Sequence, residues 1–67
     1  DYLYTLDVYL QHEMSITKTS EKLFIHRSSL MKRLNKIKQL LPETESLDDP
    51  DTRLYYRFFF ALSKQNK

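Results

Sequence analysis

The sequence predicts an all-α fold, a small four-helix domain containing a helix-turn-helix. Three observations carry that expectation. Apolar residues recur at spacings of three and four along most of the chain, the period of a helix face. Glycine is absent from all 67 residues, which disfavours tight primed hairpin turns and phosphate-cradling loops. Asp49-Pro50-Asp51 reads as a helix start, with a capping carboxylate, a proline whose missing amide does no harm, and a second carboxylate at the positive end of the dipole.

The first helix is expected over about 2–13, because Leu3, Leu6, Leu10 and Met14 fall on one side of it and so line a core-facing stripe. The second is expected over about 18–24, capped by Ser15 or Thr17, with Thr17 preferred. It gathers Ile16, Thr19, Ser20 and Leu23 on one side and leaves Lys18, Glu21 and Lys22 toward water. After a break at Phe24-Ile25-His26, Leu30, Leu34, Ile37 and Leu41 mark the third helix over 27–40, which Pro42 ends by restricting Leu41. A polar loop follows, anchored by Leu47. The fourth helix, over about 50–63, is expected to turn Leu54, Phe58 and Ala61 inward. Tyr56, Phe59 and Phe60 would then point elsewhere, toward a second copy of the domain or a region of the parent protein missing from this chain.

A chain of this length is expected to form one domain, residues 1–67, since so short a unit cannot be divided into two cores. It begins at Asp1 without Met, which suggests an excised part of a longer protein. With no cysteine, neither a disulfide framework nor a cysteine-bearing zinc site is available, and a reducing cytoplasm is compatible. No apolar run approaches the length of a membrane span, so no membrane partner is expected.

The net charge of +2 conceals an uneven distribution. Residues 15–41 carry seven basic side chains against Glu21 alone, a net of +6, while the rest of the chain carries four bases and eight acids, a net of −4. A basic middle flanked by acidic ends is the pattern of a local polyanion site. Once Leu30, Leu34 and Ile37 turn inward, the third helix offers Ser28, Lys32, Asn35 and Gln39 as its opposite stripe. Ser29, Met31 and Lys36 form the shoulders, and Arg27 and Arg33 the flanks. Such a helix suits the major groove, which needs donors toward base edges and cations toward phosphates. A merely solvated face would ordinarily mix both signs of charge.

Leu23, Ile25, Leu30 and Leu34, with the small Ser20 beneath, fit the packing of a helix-turn-helix, where a small residue lets two crossed helices approach. Phe24 stands at the turn position often given to glycine. A left-handed backbone there costs about 1 kcal/mol.

The run Leu23-Phe24-Ile25-His26-Arg27-Ser28-Ser29-Leu30, continuing Lys32-Arg33-Leu34-Asn35-Lys36-Ile37, resembles the C-terminal helix-turn-helix of PucR-type regulators, also found in sugar-diacid (CdaR-like) regulators. That family shows a His-Arg-Asn-Thr-Leu stretch and an Arg-Leu-x-x-Ile continuation. Its later Leu-Asp-Asp-Pro and Arg-Leu are matched by Leu47-Asp48-Asp49-Pro50 and Arg53-Leu54. The resemblance implies a bacterial transcription regulator whose upstream sensory region, not in this chain, responds to a metabolite. Ser28 and Ser29 replace the commoner Asn and Thr, so no DNA sequence preference is carried over. A Fis-like helix-turn-helix is similar in its Arg-x-x-Leu-x-x-x-Leu helix but lacks the Asp-Asp-Pro start.

The expected partner is therefore double-stranded DNA, contacted by Arg27, Ser28, Ser29, Lys32, Arg33, Asn35 and Lys36 of the third helix, with Lys18, Lys22 and His26 nearby. His26 is placed either to cap that helix or to touch a phosphate. His12 is its only imidazole companion and lies on another helix, so no metal or other cofactor is expected. Ser28, His26 and Asp48 or Asp49 lack any sign of a shared site or an oxyanion loop, and no enzyme activity is expected. A homodimer of the parent protein through helix 50–63 would pair two such units. The rival reading is a helical protein-interaction module that docks through the aromatic fourth helix. An RNA-binding module comes third, because no glycine-containing loop or aromatic sheet motif is present.

Overall fold

The computed structural model describes residues 1–65. They form α1 (Tyr2–Gln11), α2 (Ile16–Leu23), α3 (Arg27–Leu40) and α4 (Pro50–Gln65), with no strand among the described residues. The all-α expectation holds. α1 is the central element and packs against each of the other three, while α2 also packs against α3. Six consecutive residues of α1, Thr5 to Leu10, are buried as a result.

Asp1 opens α1 by accepting the Leu3 amide on its carboxylate at 2.9 Å. The helix ends two residues sooner than the apolar spacing suggests, because Glu13 and Met14 both take positive φ, 55° and 63°. The amide of Met14 donates back to the Tyr9 carbonyl at 2.8 Å, and that of Glu13 to Leu10 at 3.2 Å. This paired closure is the Schellman pattern, here built without glycine. Leu3 is 58% exposed rather than inward, since burial begins only at Thr5 and the first turn lies at the edge of the packed region.

Ser15, not Thr17, caps α2. Its hydroxyl accepts the Lys18 amide at 3.1 Å, so the helix starts at Ile16 and Thr17 lies exposed in the first turn. At the other end Phe24 is outside the helix, at φ 56° and ψ 42°. Phe24 and Ile25 donate to the carbonyls of Glu21 and Ser20 at 3.2 and 3.1 Å, a second Schellman closure. α3 occupies the span its periodicity predicts, and Leu41 after it is extended at φ −74° and ψ 145°, as a following proline demands.

The core joins Leu6, Tyr9 and Leu10 of α1 to Leu30, Leu34 and Ile37 of α3, Leu47 of the loop and Phe60 of α4. Leu47 anchors the loop as expected. The inward face of α4 differs from the expected one. Leu54 and Phe58 are 66% and 64% exposed and Ala61 is exposed, whereas Phe60 and Thr52 are buried and Arg53 and Tyr56 half-buried. The helix is turned about half a revolution from the Leu54-Phe58-Ala61 reading. Polar ties fix that orientation: Arg53 Nη1 donates to the Leu47 carbonyl at 2.7 Å, Tyr56 Oη to Glu45 Oε2 at 2.9 Å, and Lys64 Nζ meets Asp7 Oδ2 at 3.0 Å.

Candidate nucleic-acid interface

α2 and α3 cross over a small-residue floor. Ser20 is buried where they meet, and its hydroxyl donates to the Thr17 carbonyl at 3.0 Å, so it fills a slot usual for alanine without an unmet polar group. Thr19, also buried, has no partner for its hydroxyl. Across the crossing Leu30 is wholly buried and Leu34 nearly so. Those two, with Ile37, set the rotation of α3 and hence what it shows to solvent.

His26 caps α3. Its Nδ1 accepts the Ser28 amide at 3.1 Å and lies 2.9 Å from the Ser28 hydroxyl. An accepting Nδ1 places the ring proton on Nε2, which is left to donate outward. The cap fixes the first turn, where Arg27, Ser28 and Ser29 are all exposed. Lys32, Asn35, Lys36 and Gln39 continue the exposed surface, with Met31 beside them. α3 holds no acidic residue along its 14 positions, so nothing on the helix itself neutralises these cations.

Three of the predicted contact residues stand apart from that group. Arg33 is half-buried, and its Nη1 donates to Thr5 Oγ1 on α1 at 3.3 Å. Lys22 borders the groove between α1 and α4, beside Asp7 and Gln11. Lys18 is exposed on α2, its amide held by Ser15. Sequence reasoning identified the turn at Phe24 but gave its side chain no role, although the ring is 94% exposed. The signal was present in the residue type, since a bulky side chain at a glycine position of a turn is unusual.

The second exposed surface is the outer face of α4, a shallow apolar groove lined by Leu54, Tyr55, Phe58, Phe59 and Leu62, with Asp51 at its head. Among the described residues no three His, Cys, Asp or Glu side chains are grouped to hold a metal ion. No described helix is long and apolar enough to cross a membrane.

Two helices crossed over a small residue, the second capped and presenting an unopposed basic and amide-bearing face, define a helix-turn-helix domain. The chain belongs to the family of the PucR C-terminal helix-turn-helix domain, whose pattern matches residues 2–62. It is similar to the purine catabolism regulatory protein of Bacillus subtilis (strain 168), with 36% identity over 62 residues, 92% of this chain and 11% of that protein. The chain thus spans a small fraction of that relative's length. No solved structure matches it.

Proposed function

We propose that this chain binds double-stranded DNA sequence-specifically, with α3 in the major groove, as the DNA-binding part of a longer, cytoplasmic, metabolite-responsive bacterial transcription regulator. The observation that carries the reading is the solvent face of α3, where donors and cations are exposed together and no acid interrupts them. Arg27, Ser28 and Ser29, at the capped end, would reach base edges, with Lys32 and Asn35 following, while Lys36 and Lys18 neutralise phosphates. Membership of a regulator's helix-turn-helix family, and a relative named for regulating purine catabolism, support both DNA as the partner and a metabolite as the signal.

The outer face of α4 is proposed to pair two copies in the parent protein. Its exposed rings form a contiguous apolar surface of the kind that marks an interface. A twofold pair would set two α3 helices one DNA turn apart, at about 34 Å, on a near-palindromic site. The same face favours a second reading, a module that docks on another protein.

Selection of bound sequences from random duplexes, with the chain and with a tethered dimer, separates the readings. A recovered half-site, doubled and spaced by about one turn for the tethered form, supports DNA recognition. Recovery of no enriched sequence by either form would leave only the docking module.

A further inference from the structure

We propose that the Phe24 ring is a DNA-contacting element of the turn, packing against the apolar deoxyribose edge of the backbone beside the groove that α3 enters. The inference rests on the DNA reading above. Two independent features of Phe24 are unfavourable in the free protein. Its backbone sits at φ 56° and ψ 42°, the left-handed region that glycine enters freely and that crowds a side chain bearing Cβ. Its ring is 94% exposed, so the side chain gains almost nothing by burial in the domain itself. Glycine or asparagine would form the same closure, through the same two amide hydrogen bonds, without exposing a ring. Positive φ recurs in this glycine-free chain at Glu13 and Met14, but at Phe24 it is joined to an unburied aromatic, and that combination points toward use rather than stability.

The location selects the partner. Phe24 follows α2 and directly precedes Ile25, His26 and Arg27, so the ring projects from the corner that delivers the first turn of α3. Leu23 and Ile25 on either side pack against the core, so the ring's neighbours in sequence add little exposed apolar surface to it. A single ring offers a protein partner little area. Beside His26 and Arg27, both exposed, the surface expected to approach is a polyanion whose apolar portions are its sugars. The Schellman closure specifies the backbone at this corner, so only the side-chain rotations of the ring are left to order on binding.

The contact is uncharged and lies on the backbone, which gives it a distinct signature. Phe24→Gly and Phe24→Asn, both suited to positive φ, are compared with the unaltered chain on the duplex that the unaltered chain selects and on an unrelated duplex. Melting temperatures are expected to rise or hold. Dissociation constants are expected to rise about five- to tenfold on both duplexes, with an unchanged salt slope because no cation is lost. Phe24→Tyr, which keeps the ring, is expected to bind within about twofold of the unaltered chain. If both variants are folded and bind as tightly as the unaltered chain, the Phe24 contact is overturned while DNA binding stands. If the unaltered chain binds neither duplex, DNA binding fails and this contact with it.

Discussion

Arg33 on α3 donates from Nη1 to the hydroxyl of Thr5 on α1 at 3.3 Å, joining residues 28 positions apart. The Thr5 hydroxyl in turn donates to the Asp1 carbonyl at 2.9 Å, so a fully buried group has both its donor and its acceptor capacity used. The contact ties α3 to the central helix of the domain. Thr5→Val should cost about 1 kcal/mol in urea unfolding, because it removes the acceptor of the Arg33 guanidinium and one of the two hydrogen bonds at the Asp1 carbonyl, which keeps the Thr5 amide at 3.1 Å. Arg33→Met should cost less in that background than in the unaltered chain, by about 0.5–1 kcal/mol. Equal costs in both backgrounds would show the pair to be uncoupled.

Leu34 is 4% exposed, at the centre of the core that α3 shares with α1. Leu34→Ala should lower stability by about 2–4 kcal/mol, a large part of what so small a domain has. Gln39→Ala, on the exposed side of the same helix, should stay within about 0.5 kcal/mol. Chemical denaturation of the two variants checks the rotation of α3 directly.

The periodicity of α3 was legible because its apolar positions are few and fall on one stripe, so only one rotation buries them. α4 was not, for the opposite reason: it is apolar on nearly every side, and burial of Leu54, Phe58 and Ala61 is as consistent with its spacing as burial of Tyr56 and Phe60. What decides is polar and comes from elsewhere in the chain, namely the Leu47 carbonyl that takes Arg53 and the Glu45 carboxylate that takes Tyr56. The start of α2 turned on a choice between two hydroxyls two residues apart, and the favourable first-turn bond to Lys18 belongs to Ser15. Within the candidate site, composition foretold exposure for most of the α3 stripe. It could not foretell that Arg33 would reach Thr5, a contact set by how α1 and α3 pack.

The orientation of α4 gives opposite outcomes for neighbouring phenylalanines. Phe60, at 7% exposed, is a core residue, and Phe60→Ala should cost about 3–5 kcal/mol and unfold much of the protein at room temperature. Phe58→Ser with Leu62→Ser should leave the fold intact and, if α4 pairs two copies, abolish any self-association seen by sedimentation. A double variant that associates as the unaltered chain does would move the dimer contact elsewhere.

Tyr9 and Tyr56 both titrate above their ordinary value of 10.0, Tyr9 through burial and then the Asp48 charge, Tyr56 through burial and then its bond to Glu45. A phenol whose folded pKa is raised keeps its stabilising contribution below the unfolded value and loses it as pH climbs through the folded one. Thermal melting should therefore be insensitive to these groups below about pH 10 and fall above it. Tyr56→Phe should reduce the alkaline part of that fall. An unchanged alkaline profile in both Tyr9→Phe and Tyr56→Phe would assign the loss to other groups.

The central claim, that α3 places a basic, donor-bearing face in the major groove, is tested most directly by duplex binding as a function of salt, followed by fluorescence anisotropy for the unaltered chain and for Lys36→Ala. Lys36 and Lys18, the two cations assigned to phosphates, predict a log–log slope of about −2 for one domain, reduced by about 1 in the variant. A slope near zero, or no binding to any duplex at low salt, would contradict the account.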